Sequence, residues 1–385
     1  MTVDYIPAEP TPVLLVTGFL GSGKTTLINH LLRQPDLART AVIINEFGEI
    51  GLDHELVEAS SENMVLLQSG CLCCTIRSDL LTTLHVLVDR RDRGEIAPFN
   101  RIVIETTGLA DPAPILHTLI IDGFLGEAFR LDGVIATVDA AAGGATLDAQ
   151  PEAVKQAAMA DRILLTKTDI AGRHAVREIE ERLRKLNPGT PIIRTYQGAV
   201  EPSRLFNVGL YFGNKIDDVQ AWLNAEAYEE PSQQHAHQQR DHHHHHHHGH
   251  GEHHHHHHVN RHDERISAVS YTVNDPIPAD IFDLWLETLV LLSGPNILRL
   301  KGIVNVEGIP APFVLHGVQH IFHPPTPLHD WPREDRRTRI VLIGRDRPMS
   351  FFETALPSWA PRHAMVTVLM ITTTTTMTII MNARK

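Results

Sequence analysis

The chain has 385 residues, enough for two domains that each bury a core, and its 42% hydrophobic and 21% charged residues are ordinary for a globular protein. A formal net charge of −12 disfavours a nucleic-acid partner held by non-specific attraction. The composition departs from the ordinary in its 27 histidines and in three cysteines gathered at positions 71, 73 and 74, where a secreted disulfide framework would spread an even number; this predicts a reducing, cytoplasmic setting and metal or redox chemistry.

Residues 1–12 carry acidic residues and prolines but no basic flank and no apolar core, so they do not read as a signal peptide. Val13-Leu14-Leu15-Val16 is a short apolar run of the kind a buried parallel strand requires. It ends in Gly18-Phe19-Leu20-Gly21-Ser22-Gly23-Lys24-Thr25, which fits the G-x-x-x-x-G-K-[ST] phosphate loop, and a helix is expected over 24–33. In such a loop glycines let backbone N–H groups turn inward, and the helix N-terminus adds a positive dipole. Lys24 would reach the β- and γ-phosphates and the Thr25 hydroxyl would ligate Mg²⁺.

Further apolar runs at 41–44, 65–67, 102–104, 133–138 and 163–165 alternate with helical patterns, among them 79–90, 112–121 and 173–186. This predicts a doubly wound α/β fold of the P-loop NTPase kind, with a mostly parallel sheet, over residues 11–225. The strand at 102–104 delivers Glu105, followed by Thr106-Thr107-Gly108, to its carboxyl end, where an acid can order either the Mg²⁺ shell or the attacking water. Thr166-Lys167-Thr168-Asp169 follows the strand at 163–165. The Asp169 carboxylate can accept from both N1–H and the 2-amino group of guanine, a donor pair adenine lacks, and Lys167 can pack its stem along the base.

Gly70-Cys71-Leu72-Cys73-Cys74 places three thiols within four residues. Thiolates are soft donors suited to Zn²⁺, Cu(I) or Co²⁺, and three local ligands leave a fourth to come from Glu46, Glu49, His117 or water. Buried thiols acting as small hydrophobes and a catalytic dithiol are the other readings.

Residues 226–264 are Gln, His, Glu and Gly with almost no apolar side chains, which reads as a flexible linker. Its histidine runs are bounded by His242 and His248 and by His253 and His258, and many exchanging imidazoles would raise local metal concentration. Order is expected to resume over 265–345 as a smaller α/β domain, with a strand at 266–273, a helix at 279–292 and strands at 297–306, 313–319 and 338–343. The tail, 346–385, reads as irregular. Residues 364–381 are uncharged but too rich in threonine for a membrane span. Threonine codons of the form ACC give the histidine codon CAC when read one base earlier, so a frameshift, natural or introduced in sequencing, is the origin this tail suggests.

Taken together, Gly18 through Thr26, Asn45-Glu46-Phe47-Gly48-Glu49, Cys71-Leu72-Cys73-Cys74, Glu105-Thr106-Thr107-Gly108 and Leu300-Lys301-Gly302-Ile303-Val304 resemble the CobW-type P-loop GTPases, over about residues 11–345. The resemblance implies GTP hydrolysis with Mg²⁺, with Gly18, Gly21, Ser22, Gly23, Lys24, Thr25, Thr26, Lys167 and Asp169 on the nucleotide and Lys24 and Glu105 in catalysis. It further implies a metal held by Cys71, Cys73 and Cys74, Zn²⁺ with Co²⁺ as the alternative, a nucleotide-responsive switch at 45–49, and delivery to a client metalloprotein. The sequence departs from an Asn-Lys-x-Asp motif at Thr166. A cobalt-handling GTPase of cobalamin synthesis, a His-rich metal buffer and a small-molecule kinase are the rival readings.

Overall fold

The computed structural model describes residues 10–47, 64–69, 75–206, 208, 223, 266–293, 296–319, 321–322, 325–328, 330–331, 334–345, 366–371 and 376–381. In the first domain the elements run β1 (Thr11–Gly18), α1 (Lys24–Leu32), β2 (Thr40–Phe47), β3 (Met64–Ser69), α2 (Thr75–Asp92), β4 (Arg101–Glu105), α3 (Ala113–Ile121), α4 (Gly123–Ala128), β5 (Phe129–Asp139), α5 (Gly143–Ala149), α6 (Pro151–Met159), β6 (Arg162–Thr166), α7 (Arg173–Leu186) and β7 (Ile192–Arg194). The seven strands form one sheet in the order β3-β2-β4-β1-β5-β6-β7, and every pairing in it is parallel.

Parallel strands joined by helical crossovers are covered on both faces, which is why these strands are continuous apolar runs. Val13, Leu14, Leu15 and Val16 are all fully buried. The covering helices are amphipathic: α7 buries Val176, Ile179, Leu183 and Leu186, the 3-4-3 spacing of one helix face. Helices α5 and α6, which the sequence pattern did not single out, complete the crossover from β5 to β6 and are rich in alanine.

The second domain contains β8 (Ile266–Val273), α8 (Ala279–Ser293), β9 (Ile297–Val304), β10 (Phe313–Val318), β11 (Ile321–Phe322), β12 (Thr326–Pro327) and β13 (Thr338–Arg345). Its strands pair antiparallel, in the order β11-β10-β9-β13-β8, with β12 beside β10. One face of the sheet packs on α8 through Val269, Tyr271, Phe282, Trp285, Leu289, Leu300 and Leu342. Among the described residues much of the opposite face is also buried. Ala268, Leu298, Ile303, Val314, Val341 and Ile343 belong to the same apolar cluster as Ala153, Ala157 and Leu116 of the first domain.

In the tail, read from sequence as irregular, β14 (Val366–Ile371) and β15 (Thr376–Met381) extend the second sheet, with β14 antiparallel to β8. The physical reason is compositional: Thr, Val and Ile are branched at Cβ and favour extended backbone, and β8 presents a free edge for pairing.

Candidate functional site

All the nucleotide motifs emerge from one edge of the first sheet. Residue 18 ends β1, Glu105 ends β4, Asp139 ends β5 and Lys167 follows β6 directly. In an open α/β sheet this carboxyl edge is where ligands bind, because the strands on either side of β1 connect in opposite directions and open a crevice there.

The phosphate loop has the backbone its sequence requires. Gly21 and Gly23 adopt φ of 70° and 99°, conformations that other residues rarely take. Gly23 is the N-cap of α1 and no side chain caps the helix, so its first N–H groups remain disposed toward an anion. Lys24 Nζ donates to Gly18 O at 2.9 Å and to Phe19 O at 3.3 Å, folding the ammonium over the loop it belongs to. Ser22 Oγ and Thr137 Oγ1 lie 2.6 Å apart, tying the loop to β5. Thr25 Oγ1 donates to Glu105 Oε1 at 3.4 Å, so the two groups expected to share an Mg²⁺ shell are neighbours, with Glu105 only 6% exposed. The cradle therefore fits a triphosphate with its magnesium ion: donors line the loop, and a hydroxyl and a carboxylate stand side by side at its edge.

In the segment that follows β6, Thr166 occupies the place of the expected asparagine. Its hydroxyl donates to Ser22 O at 2.7 Å, and its methyl would be 3.4 Å from a Cβ at Gly23. A single hydroxyl thus ties β6 to the phosphate loop. Lys167 has a left-handed φ of 55°, and its ammonium pairs with Asp139 Oδ2 at 2.7 Å. Asp169 is exposed on the following turn.

The sequence reading missed a second wall. Thr195 N donates to Leu165 O at 2.9 Å, Thr168 Oγ1 donates to Thr195 O at 3.3 Å, and Tyr196 is 57% exposed beside them. Gly198, at φ 75°, comes so near Thr26 O that a Cβ there would be 2.8 Å away. The turn at 195–198 therefore joins the segment after β6 to Thr26 on α1. The Gln197-Gly198 pair after β7 was its only sequence signal.

The Glu105 loop is held at several points. Thr106 N donates to Val16 O at 2.9 Å and Thr106 Oγ1 to Thr17 Oγ1 at 2.9 Å. Gly108 packs so closely on the phosphate loop that a Cβ would lie 2.5 Å from Leu20 N, which excludes any side chain at this position. Gln156, on α6, donates its amide to Gly108 O and Ala110 O, and Lys155 pairs with Asp111.

The metal motifs are placed only through their strands. Glu46 lies in β2 opposite Gln68 of β3, and Phe47 lies opposite Ser69, so the chain enters the 48–49 and 71–74 segments from adjacent parallel strands at the same carboxyl edge. Glu49, Cys71, Cys73 and Cys74 lie outside the described residues, as do His242, His248, His253 and His258, and the side chain of Glu46 is likewise not described. His117 is on α3, buried, with Nε2 3.3 Å from Val318 O of the second domain, so its ring sits at the domain boundary. Among the described residues no group of three or more His, Cys, Asp and Glu side chains is arranged to hold a metal, and no helix is long and apolar enough to cross a membrane.

Where the domains meet, Asp161 is buried with Arg299 Nη2 at 2.6 Å and Lys301 Nζ at 3.0 Å, both from β9, and it accepts from Val134 N at 3.0 Å. Burial by itself would raise the carboxyl pKa, but Arg299 and Lys301 outweigh it and hold Asp161 well below the usual carboxylate range. Burial pushes Lys301 down to about 8, against the opposing pull of Asp161.

Comparison with known proteins agrees with this geometry. The family model described as CobW/HypB/UreG, nucleotide-binding domain, matches residues 12–194, and the cobalamin synthesis protein cobW C-terminal domain matches residues 266–358. The second match extends past residue 345, where the sequence resemblance was expected to stop. Zinc chaperone YjiA of Escherichia coli (strain K12) is 33% identical over 345 residues, covering 88% of this chain and 96% of the relative. Zinc-regulated GTPase metalloprotein activator 1 of Schizosaccharomyces pombe is 29% identical over 369 residues, covering 88% and 83%. The crystal structure of Zn(II)-bound YjiA GTPase from E. coli superposes with a TM-score of 0.65 at 28% identity, covering 92% of this chain and all of the other.

Proposed function

This chain belongs to the CobW/HypB/UreG family of nucleotide-binding proteins with a CobW C-terminal domain, and from that premise we propose that it is a GTP-hydrolysing metallochaperone that loads zinc at Cys71, Cys73 and Cys74 and passes it to a client metalloprotein. One observation carries the reading: the phosphate loop, Glu105 and the two strands that lead into the 45–49 and 71–74 segments all open on the same sheet edge, with β2 and β3 adjacent. That the relatives are named for zinc favours zinc over cobalt as cargo.

In this reading Lys24 leaves the carbonyls of Gly18 and Phe19 for the phosphate oxygens, where a cation lowers the energy of developing negative charge. Thr25 and Glu105 would hold a magnesium ion, which would supply charge neutralisation to the phosphates when bound. Water adds its oxygen to the γ-phosphorus, the bond from that phosphorus to the bridging oxygen breaks, and GDP leaves with the electron pair while one proton passes to solvent. Asp169 reads the guanine edge. The 45–49 segment, entered from β2 beside β4, responds to loss of the γ-phosphate by relaxing, and the cysteine segment, entered from the adjacent strand β3, then releases its ion to the docked client.

The test is a calorimetric zinc titration of the protein free, with GDP, and with a non-hydrolysable GTP analogue. The expected result is a zinc affinity that changes by roughly fivefold or more between the GDP and analogue forms, the usual size of a coupling between sites. Equal affinity in all three forms would overturn the delivery reading.

A further inference from the structure

We infer that Gln156 is a positioning residue for GTP hydrolysis, holding the peptide groups that follow Glu105 in their working orientation against the phosphate loop. The inference rests on the hydrolytic reading above and concerns a residue none of the nucleotide motifs contains.

Gln156 is on α6, 1% exposed, with Ala153, Ala157 and Ala158 buried on the same helix. A leucine or methionine would suit such a position on packing grounds. The amide is there for a different reason: its Nε2 donates to Gly108 O at 3.1 Å and to Ala110 O at 3.0 Å. An amide NH₂ carries two donors in one plane, so one side chain can satisfy two carbonyls of a turn that has no strand partner.

The consequence for chemistry follows from peptide geometry. The peptide bond is planar and trans, so fixing the carbonyls of Gly108 and Ala110 toward Gln156 fixes the N–H groups of Leu109 and Asp111 on the opposite side, away from α6. The same turn is pressed onto the phosphate loop at Leu20 through Gly108, and it begins three residues after the carboxylate that touches Thr25. A loop pinned at Thr106 by β1, at Asp111 by Lys155 and between them by Gln156 has little freedom to rotate a peptide plane. Removing the central pin leaves the ends in place and frees the segment nearest Leu20.

A purely structural role predicts a different pattern from a positioning role, and two variants separate them. Gln156→Leu keeps the volume and removes both donors; Gln156→Glu keeps the shape and, when ionised, removes the donors as well. The proposal expects kcat for GTP to fall by roughly tenfold to a hundredfold in both. It also expects GDP affinity to stay within about twofold and the preference for a non-hydrolysable GTP analogue over GDP to shrink, with amides at 106–111 exchanging faster while the rest of the sheet stays protected. Gln156→Glu should regain activity relative to the wild type as pH falls and the carboxyl becomes a donor again. Wild-type kcat and discrimination in Gln156→Leu would overturn the proposal. So would a parallel loss of GDP affinity, melting temperature and kcat in both variants. If the wild-type protein itself fails to turn over GTP, the hydrolytic reading falls, and the analogue-over-GDP preference of the variants then decides the role of Gln156 on its own.

Discussion

Arg299 on β9 and Asp161, the residue immediately before β6, meet at 2.6 Å across the domain boundary, 138 residues apart in the chain, with side chains 2% and 1% exposed. Arg299 Nη1 also donates to Met159 O, at the end of the helix that carries Gln156. The nine-residue helix α6 therefore has the nucleotide loop on one flank and the second domain at its end.

Asp161→Asn leaves two cations buried without their anion. Breaking a buried pair by removing one partner typically costs about 3–5 kcal/mol. The expected outcome is a loss of that order in denaturant unfolding, accompanied in small-angle scattering by separation of the domains. A loss below about 0.5 kcal/mol, the scatter of ordinary surface substitutions, would show that the cluster contributes nothing net.

The same cluster sets a dependence on pH. The folded-state pKa of Asp161 is depressed, so its contribution is complete above the unfolded-chain value of about 3.9 and is lost as pH falls below that value. Lys301 is depressed to about 8. Between that value and the unfolded pKa of about 10.4 the unfolded chain binds more protons, so stability rises with pH in this window. Melting temperatures of the wild type and Asp161→Asn should converge below about pH 4, and Lys301→Met should lack the rise above pH 8. Curves that stay parallel throughout would contradict the assignment.

Thr166→Val removes the hydroxyl that ties β6 to Ser22 O while keeping the methyl near Gly23. A buried hydrogen bond contributes about 1 kcal/mol net, so affinity for GDP should fall about fivefold. Fluorescent-nucleotide titration reads this directly, and an unchanged Kd would mean that the hydroxyl does not organise the loop.

Asp169→Asn exchanges an acceptor for a donor opposite the 2-amino group of guanine. GTP affinity should drop by roughly a hundredfold, and xanthosine triphosphate, which presents an oxygen there, should bind better than GTP. Competition between the two nucleotides measures the switch. Equal preference before and after the substitution would remove Asp169 from the base site.

The first domain was legible because its determinants are local. A buried parallel strand has to be continuously apolar, as 13–16 and 163–165 are, and a phosphate loop has to place glycine at 21 and 23, where φ is positive. The positions of Lys24, Thr25 and Glu105 followed from those strands, and the structure brings Thr25 and Glu105 together. The turn at 195–198 was not legible, because its relation to Thr26 depends on how β7 lies beside β6. Gln156 was missed for a similar reason: on its own helix it has only alanine-rich neighbours, and its purpose is set by two carbonyls more than forty residues earlier.

The sequence by itself determined what short segments encode: a glycine loop between a strand and a helix, an acid at a strand end, a Lys-x-Asp segment after a strand and a cluster of thiols. Only the tertiary structure decided what the second domain does with its polar face. Arg299 and Lys301 alternate with apolar residues along β9, a pattern that in sequence reads as one wet face and one dry. In the folded chain both faces are dry, because Asp161 of the other domain supplies the counter-charge that makes burial of two cations tolerable. Local periodicity records which residues share a face, whereas the partner that covers the face comes from a distant part of the chain and is fixed only when the two domains pack.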